Sequence, residues 1–495
     1  MAFALQLVQV FSSPANLVLL FFSIVVAYAV SKAIHNIYFH PLARFPGPTA
    51  NAVSSLPKLL ATLNGTAIGK FTKLHGRYGN VVRIAPNELS YTTAIAWTDV
   101  YGRRHGHQEM FKAFPFDPPL GVEIINAPLT EHRRYRRLMS PAFSDKALKL
   151  QVPLIQSYID QLMQLWRKKE GEAIDLVSWY SFITFDVIGD MVFGEPFDSL
   201  KDAEYKPWED RSFLAIKTAT RIATIASFGK LFAMIYAISI PKNVKDQFNA
   251  QVVFIKEKVK KRLLQFTPKP DIISSLLRND HEKAMMRPEI EANAEGLIVA
   301  GSETTSTLLS GATWHLLRNP RVLLKLVEEI RNTFKTEQEI NLEGVDKLEY
   351  LNGVVEEALR MYPPIPSNLP RIVPEGGDDV DGKWLPAGTI VSVCPYAAFN
   401  SPKNFKHPDE FTPERWLGDP KYEKDNRAVF QPFSFGPRDC LGRRMGYVEV
   451  KLILARTLWN FDIELDPRSR DWSNQKIYIL WEKQPLWVTL KPVQH

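Results

Sequence analysis

The chain opens on a stretch with no polar rhythm. From Met1 to Ser31 there is no charged residue, and Leu17 to Ile34 is almost continuously apolar, about the length needed to cross a bilayer core. Basic residues follow the run, at Lys32, His35 and Arg44, whereas a cleaved signal peptide carries them in front and ends at a small-residue site. The pattern predicts one N-terminal transmembrane helix with the remaining chain on the cytoplasmic side. Further on, apolar residues recur at helical spacing over 142–166, 174–193, 245–265, 288–318, 321–335, 344–361 and 441–460. Shorter β-like pieces sit at Val81–Ile84, Leu89–Thr92, Thr389–Cys394 and Leu486–Leu490, beside Pro/Gly-rich turns. The body is therefore expected to be mainly α with small β-sheets.

Phe45-Pro46-Gly47-Pro48 joins a fixed φ to a permissive glycine and predicts a stiff elbow after the anchor. No low-complexity linker, repeat or long like-charge block follows. The expected division is an anchor over 1–40, a proline-rich hinge over 41–50 and one catalytic domain over 51–495. With 45% hydrophobic residues in a chain of 495, a large core is assured. Only Cys394 and Cys440 are present, so a disulfide framework is excluded and one special thiol remains possible. The net charge of +7 suits a membrane surface or an acidic protein partner; no nucleic-acid motif accompanies it.

One cysteine stands in unusual company. In Phe433-Ser434-Phe435-Gly436-Pro437-Arg438-Asp439-Cys440-Leu441-Gly442 a Gly-Pro turn delivers a thiol to the start of a helical run. A helix N-terminus stabilises a thiolate and lowers its pKa, and a thiolate is a suitable axial ligand for haem iron, where its electron donation favours O–O cleavage. Gly436 and Gly442 would let backbone pass close to a flat macrocycle. Phe433 is placed to shield the sulfur and Arg438 to pair with a propionate.

The pattern Phe-x-x-Gly-x-Arg-x-Cys-x-Gly resembles, at every position, the haem-binding signature of the cytochrome P-450 family. Glu357-Ala358-Leu359-Arg360 resembles that family's Glu-x-x-Arg helix. Phe411-Thr412-Pro413-Glu414-Arg415-Trp416 resembles the segment whose arginine completes a buried ion-pair network with it. The resemblance implies the family's triangular, mainly α prism, haem b as cofactor with Cys440 on the iron, and a structural triad of Glu357, Arg360 and Arg415.

Between Pro288 and Pro320 the helical pattern is interrupted by Ala300-Gly301-Ser302-Glu303-Thr304-Thr305-Ser306, whose glycine and hydroxyls predict a local bend. The segment resembles the family's oxygen-binding motif, which puts Glu303 and Thr304 in the places of an acid and an alcohol that pass protons toward dioxygen. His132-Arg133-Arg134-Tyr135-Arg136-Arg137 resembles the Trp-x-x-x-Arg helix, with His132 where tryptophan is common. His132 and Arg136 share a helix face and could both reach a propionate. Arg371, after the proline-stiffened loop 361–370, occupies a place that commonly meets a propionate. Arg133, Arg134 and Arg137 with Arg443, Arg444 and Lys451 are candidates for a basic docking surface.

There is no dinucleotide fingerprint and no flavin domain, so electrons must come from outside. The resemblance implies an NADPH-cytochrome P-450 reductase, the endoplasmic reticulum membrane, O2 and a lipophilic small molecule. Candidate pocket residues are Phe111, Phe114, Phe116, Pro118–Leu120, Ile298, Val299 and Ile477–Leu480. Tyr38-Phe39-His40-Pro41, Gly301 to Thr305 and Leu480-Trp481-Glu482-Lys483 resemble fungal microsomal members that tailor secondary metabolites. The leading expectation is hydroxylation or epoxidation. A coupling or isomerising haem enzyme, or a non-catalytic membrane haem sensor, are the competing classes.

Overall fold

A computed structural model describes residues 14–113, 120–204, 209–226, 228–265, 271–277 and 284–495. The first helix, α1 (Pro14–Ile34), has no buried residue; Leu17, Phe21, Phe22 and Tyr28 are 46–70% exposed. Residues 176–193 are also apolar enough to span a bilayer, yet they are 94% buried within the body. Burial separates the two: a core helix finds protein around its apolar surface, and α1 finds none.

The elbow is fastened, not slack. A π-helical turn at His35–Phe39 ends α1, after which Leu42 and Phe45 enter the core at 0% and 5% exposure. Arg83, itself buried, donates to Asn36 O at 2.8 Å and to Pro86 O at 3.0 and 2.7 Å. Asn51 Nδ2 donates to Ile84 O at 3.0 Å. A Cβ on Gly47 would meet Arg83 O at 2.6 Å, so glycine is what allows the elbow to lie on the strand.

Of the described residues, 61% are helical and 9% are in strands. Its main helices are α2 (Ala94–Tyr101), α3 (Leu129–Met139), α4 (Asp145–Arg167), α5 (Leu176–Phe193), α6 (Glu209–Ala226), α7 (Lys230–Ser239), α8 (Lys242–Leu264), α9 (Arg287–Arg318), α10 (Pro320–Thr333), α11 (Glu349–Met361) and α12 (Arg443–Asn460). α9 runs through the centre, against α5 on one side and α11 and α12 on others. The expected bend at 300–306 is replaced by an unbroken helix. Ser302, Thr304 and Ser310 each donate to the carbonyl four residues back, at 2.8, 2.6 and 2.7 Å, so the hydroxyls are satisfied without opening the ladder. Gly301 has a packing reason: a Cβ there would lie 2.8 Å from Ile188 of α5.

A five-stranded sheet has the order β1 (Val81–Ala85), β2 (Glu88–Tyr91), β8 (Ile390–Val393), β5 (Arg371–Ile372), β3 (Phe111–Lys112). β2 and β8 are parallel; β1–β2, β5–β8 and β3–β5 are antiparallel. β4 (Ala173–Asp175), β12 (Trp487–Pro492) and β9 (Phe461–Leu465) form a second sheet. β6 (Asp378–Val380) with β7 (Lys383–Leu385), and β10 (Ile477–Tyr478) with β11 (Leu480–Trp481), form hairpins. Helices α6 and α7 were not expected from the apolar pattern. On α7, Leu231, Phe232, Met234, Ile235 and Ile238 are all more than half exposed, so no buried stripe marks it.

Candidate active site

The loop before α12 is built around Cys440. Cys440 N donates to Phe433 O at 2.9 Å and Asp439 N to Gly436 O at 3.1 Å, closing the loop on itself. Gly436 has φ +77°, and a Cβ would run into the Tyr101 carbonyl at the end of α2. Contact with α2 is therefore enough to require glycine here. At Gly442 the nearest atom to a Cβ would be Phe143 at 3.9 Å, so the protein leaves room there. Phe433 packs against Tyr447 with the rings tilted by 45°, 5.1 Å between centroids, and with the Arg443 guanidinium 5.5 Å from its ring.

Cys440 is accessible, yet burial pushes its pKa up, and the Gly442 N–H, Arg136 and Arg443 only partly oppose this. Both hold for a thiol facing a recess enclosed by protein. The expectation that the helix dipole and free N–H groups lower the Cys440 pKa is corrected: α12 begins at Arg443, three residues on, and desolvation outweighs them. A coordinated metal ion deprotonates such a thiol outright. Cys394 is different, being fully buried at the end of β8 with its pKa pushed up to about 12 by burial.

Beside the loop lies a basic edge. Lys112 and Arg371 are directly opposite each other across β3 and β5, an unfavourable like-charge pair unless an anion lies between or near them. Burial, then Arg371, lowers Lys112 to about 7. Arg371 is 5% exposed, and its guanidinium makes no hydrogen bond among the described residues, standing 5.4 Å from the Tyr101 ring. Arg438 donates to Glu109 Oε1 at 2.6 Å and to Ala127 O at 2.9 Å, while its Nη2 is buried without a partner. His132 is 4% exposed, and burial, then Arg438 and Arg136, lower it to about 4, so it is neutral. A desolvated cationic cluster with an orphaned guanidinium nitrogen suits carboxylates arriving with a ligand. The residues therefore fit a haem: this edge would hold its propionates and Cys440 would hold its iron. Lys112 was not anticipated; a lone base beside Phe111 carries no sequence signal until the sheet sets it against Arg371.

Arg136 departs from expectation. Its Nη1 donates to Asp439 O at 2.7 Å and its Nη2 pairs with the Asp439 carboxylate, so it grips the cysteine loop in place of facing the basic cluster. The acid immediately before Cys440 captures it.

On the other side, Gly296, Ala300 and Thr304 form an i, i+4 stripe of partly or fully accessible residues in the middle of α9, the helix packed against α5, α11 and α12. Ala300 and Thr304 leave a recess over α9, while the Glu123 side chain covers Gly296, 3.1 Å from where a Cβ would lie. Thr304 is on that stripe. Glu303 is not: its carboxylate accepts from Lys483 Nζ at 2.8 Å. Thr305 bonds to Glu449 of α12, whose carboxyl burial pushes up to about 8, which ties the middle of α9 to the helix that follows the cysteine loop.

Of the pocket candidates, Val299 is half-buried, whereas Ile298, Tyr478, Leu480 and Leu120 are core residues; Phe114, Phe116, Pro118 and Pro119 lie outside the described residues. The docking set is also narrowed. Arg134 pairs with Glu289 and donates to Ala284 O, and Lys451 is 5% exposed and pairs with Asp346, which Arg444 also bonds at 2.8 Å. Arg133 and Arg137 are exposed with no ion pair among the described residues, and Arg443 is exposed as well.

Glu357, Arg360 and Arg415 come together as expected, all at 0% exposure. Glu357 accepts from Arg360 Nε and Nη2 at 2.9 and 2.8 Å, from Arg415 Nε at 3.1 and 3.2 Å, from Trp416 Nε1 at 2.9 Å and from Thr412 N at 2.9 Å. Asp425, which sequence reasoning missed, pairs with the far side of Arg415.

An accessible thiol and a carboxylate-seeking edge beside a recessed helix suit a haem-dependent oxidoreductase. The comparisons agree. The family model described as Cytochrome P450 matches residues 46–489. The chain is 45% identical to cytochrome P450 monooxygenase astA of Talaromyces wortmannii, over 95% of this chain and 96% of that protein. It is 43% identical to cytochrome P450 monooxygenase aclL of Aspergillus oryzae (95% and 97%) and 44% identical to averantin hydroxylase of Dothistroma septosporum (94% and 89%). The chain belongs to the cytochrome P450 family and is a haem b monooxygenase.

Proposed function

We propose that this chain oxidises a lipophilic secondary metabolite with O2, Cys440 serving as the axial haem ligand. The observation that carries the reading is the accessible Cys440 thiol in the intact Phe433–Gly442 loop, next to the cationic Lys112/Arg371/Arg438 edge with its unpartnered Arg438 Nη2. When bound, the haem supplies the oxidising chemistry at its iron. The protein's own contribution is to hold the propionates with Arg371, Arg438, Lys112 and neutral His132. Phe433 flanks the sulfur, Gly442 leaves space beside it, and Arg136 fixes the loop through Asp439. The partly apolar stripe of α9 selects a lipophilic substrate. Averantin hydroxylase by its name acts on averantin, and hydroxylation is the corresponding proposal here. Incorporation of label from labelled dioxygen into product is expected; coupling or isomerisation without label would overturn it.

Thr304 has the role of passing protons along the recess. Thr304→Ala is expected to keep NADPH consumption while diverting about tenfold more of it from product to peroxide. Unchanged coupling, measured as product per NADPH, counts against the role.

Residues 1–40 are proposed as a single-pass anchor in the endoplasmic reticulum membrane, 41–50 as the fixed elbow and 51–495 as the catalytic domain facing the cytoplasm. Its placement is supported by the apolar surface of α1, and the exposed face of α7 offers a second apolar contact. Electrons are proposed to arrive from an acidic NADPH-cytochrome P-450 reductase at Arg133, Arg137 and Arg443. Reversing the charge of Arg133 and Arg137 should slow reductase-driven turnover, more strongly at low salt, and spare peroxide-driven turnover. Equal loss in both assays would remove the docking surface.

A further inference from the structure

Glu303 and Thr304 adjoin in sequence but point about 100° apart around α9. Thr304 Oγ1 donates its proton to Ala300 O at 2.6 Å, leaving only lone pairs for the recess. To hand a proton on, this hydroxyl must first receive one. The acid next to it is engaged elsewhere. Lys483, just beyond β11, donates to Glu303 Oε2 at 2.8 Å, Thr307 Oγ1 at 2.9 Å and Ser306 Oγ at 3.2 Å, so all three ammonium protons are placed on α9. The two charged side chains are 7% and 16% exposed, where solvent screens the pair little.

The residue before it faces another helix. Glu482 accepts from Lys217 of α6 at 2.5 Å, and Lys217 and Arg221 stand 4.7 and 5.5 Å from the ring of Tyr478 in β10. Between them Trp481 is pinned, stacked on Tyr362 at 4.2 Å with its Nε1 donating to Pro363 O at 2.8 Å. Thus Glu482 and Lys483, on either side of one peptide bond, tie the hairpin to α6 and to α9. From 213 to 226, α6 is half-buried at every position except Thr218; no face of it is fully packed, as expected of an element that can shift.

We propose that Lys483 is a positioning residue for proton delivery, clamping the Glu303 carboxylate away from the Thr304 face, and that the Glu482–Lys217 pair braces this clamp from α6. The proposal rests on the relay role given above to Glu303 and Thr304. Release of Glu303 lets its carboxylate take a proton from water and pass it to the Thr304 oxygen as the hydroxyl proton leaves toward the recess; no electrons change hands. Proton supply then depends on the position of α6.

The test uses the full-length, haem-loaded protein with its reductase and NADPH, without added substrate, and reads the ratio of water to peroxide formed from O2. Infrared spectra of the resting protein at pH 7 give a second readout, the carboxylate stretching bands. In K483M the ratio should change at least twofold and a carboxylate band should shift. K483R should resemble the wild type in both. The Lys483→Met change should have no further effect on the ratio in an E303Q background, and the band shift should be missing there. E482Q should move the ratio in the same direction by less. A wild-type ratio and spectrum in K483M, or full additivity with E303Q, overturns the clamp; a wild-type E482Q overturns the brace. Should K483M not fold, a K483R ratio as far from the wild type as that of E303Q also overturns it. The ferrous carbon-monoxide spectrum is recorded for every variant. A wild-type protein without a thiolate-type band would be a failure of the proposed function, not of the clamp.

Discussion

Cys440→Ser is expected to abolish monooxygenase turnover and the thiolate signature of the ferrous carbon-monoxide complex while leaving the fold intact. A serine oxygen is a poor donor to iron and returns less electron density than a thiolate. The substitution itself is small and lies on an accessible recess, so the loop, closed by the Cys440 N to Phe433 O bond of 2.9 Å, should persist. The control is the second cysteine. Cys394→Ser places a hydroxyl in a fully buried position and should cost about 1–3 kcal/mol of stability if it finds no partner, with the spectrum unchanged. Measuring spectrum and thermal unfolding for both variants separates the two thiols. Swapped outcomes would reassign the ligand.

The second large effect is structural. Glu357→Ala should destabilise the protein by about 3–5 kcal/mol, because Arg360 and Arg415 would be left as unpaired charges at 0% exposure. Such a loss is comparable with much of a domain's net stability, so the variant should accumulate poorly and retain little haem. Denaturant unfolding and the haem-to-protein ratio check this; a wild-type midpoint would mean that the network contributes nothing. A pH dependence follows from the same group. Burial raises the Glu357 pKa, but Arg360 and Arg415 prevail and hold it below the ordinary carboxylate value. Its stabilisation is present above that ordinary value and is lost as the pH falls through the lowered folded value. Unfolding should therefore steepen below about pH 4.5, and Glu357→Ala should flatten that limb.

What the sequence disclosed was chemistry carried by short spacings. The Phe433–Gly442 loop and the Glu357/Arg360 turn are legible as groups, because their residues sit within one turn or one loop and constrain one another locally; Arg415, 58 residues from Glu357, is legible only through its own short motif. The long helices read well wherever an apolar stripe is buried. Less legible were arrangements made by distant strands and loops. Nothing near Lys112 in the chain announces that β3 will set it against Arg371, and nothing near Lys483 announces that it will take hold of Glu303. Arg136 was expected among the propionate residues, but Asp439, some three hundred residues away in sequence, binds it. Gly301 and the hydroxyls at 302–306 predict a bend, yet Ser302, Thr304 and Ser306 bond carbonyls of their own helix and Thr305 bonds Glu449. The pKa of Cys440 was misjudged for a related reason: helix position is visible in a sequence, and desolvation is not.

The central claim is that iron sits on the sulfur of Cys440. The most direct measurement is the difference spectrum of the reduced, carbon-monoxide-bound protein against the reduced protein, using the full-length chain in detergent or nanodiscs. The account predicts the strongly red-shifted Soret band of thiolate ligation. A folded, haem-loaded protein whose Soret band stays at the unshifted position of histidine-ligated or thiol-ligated haem would contradict it.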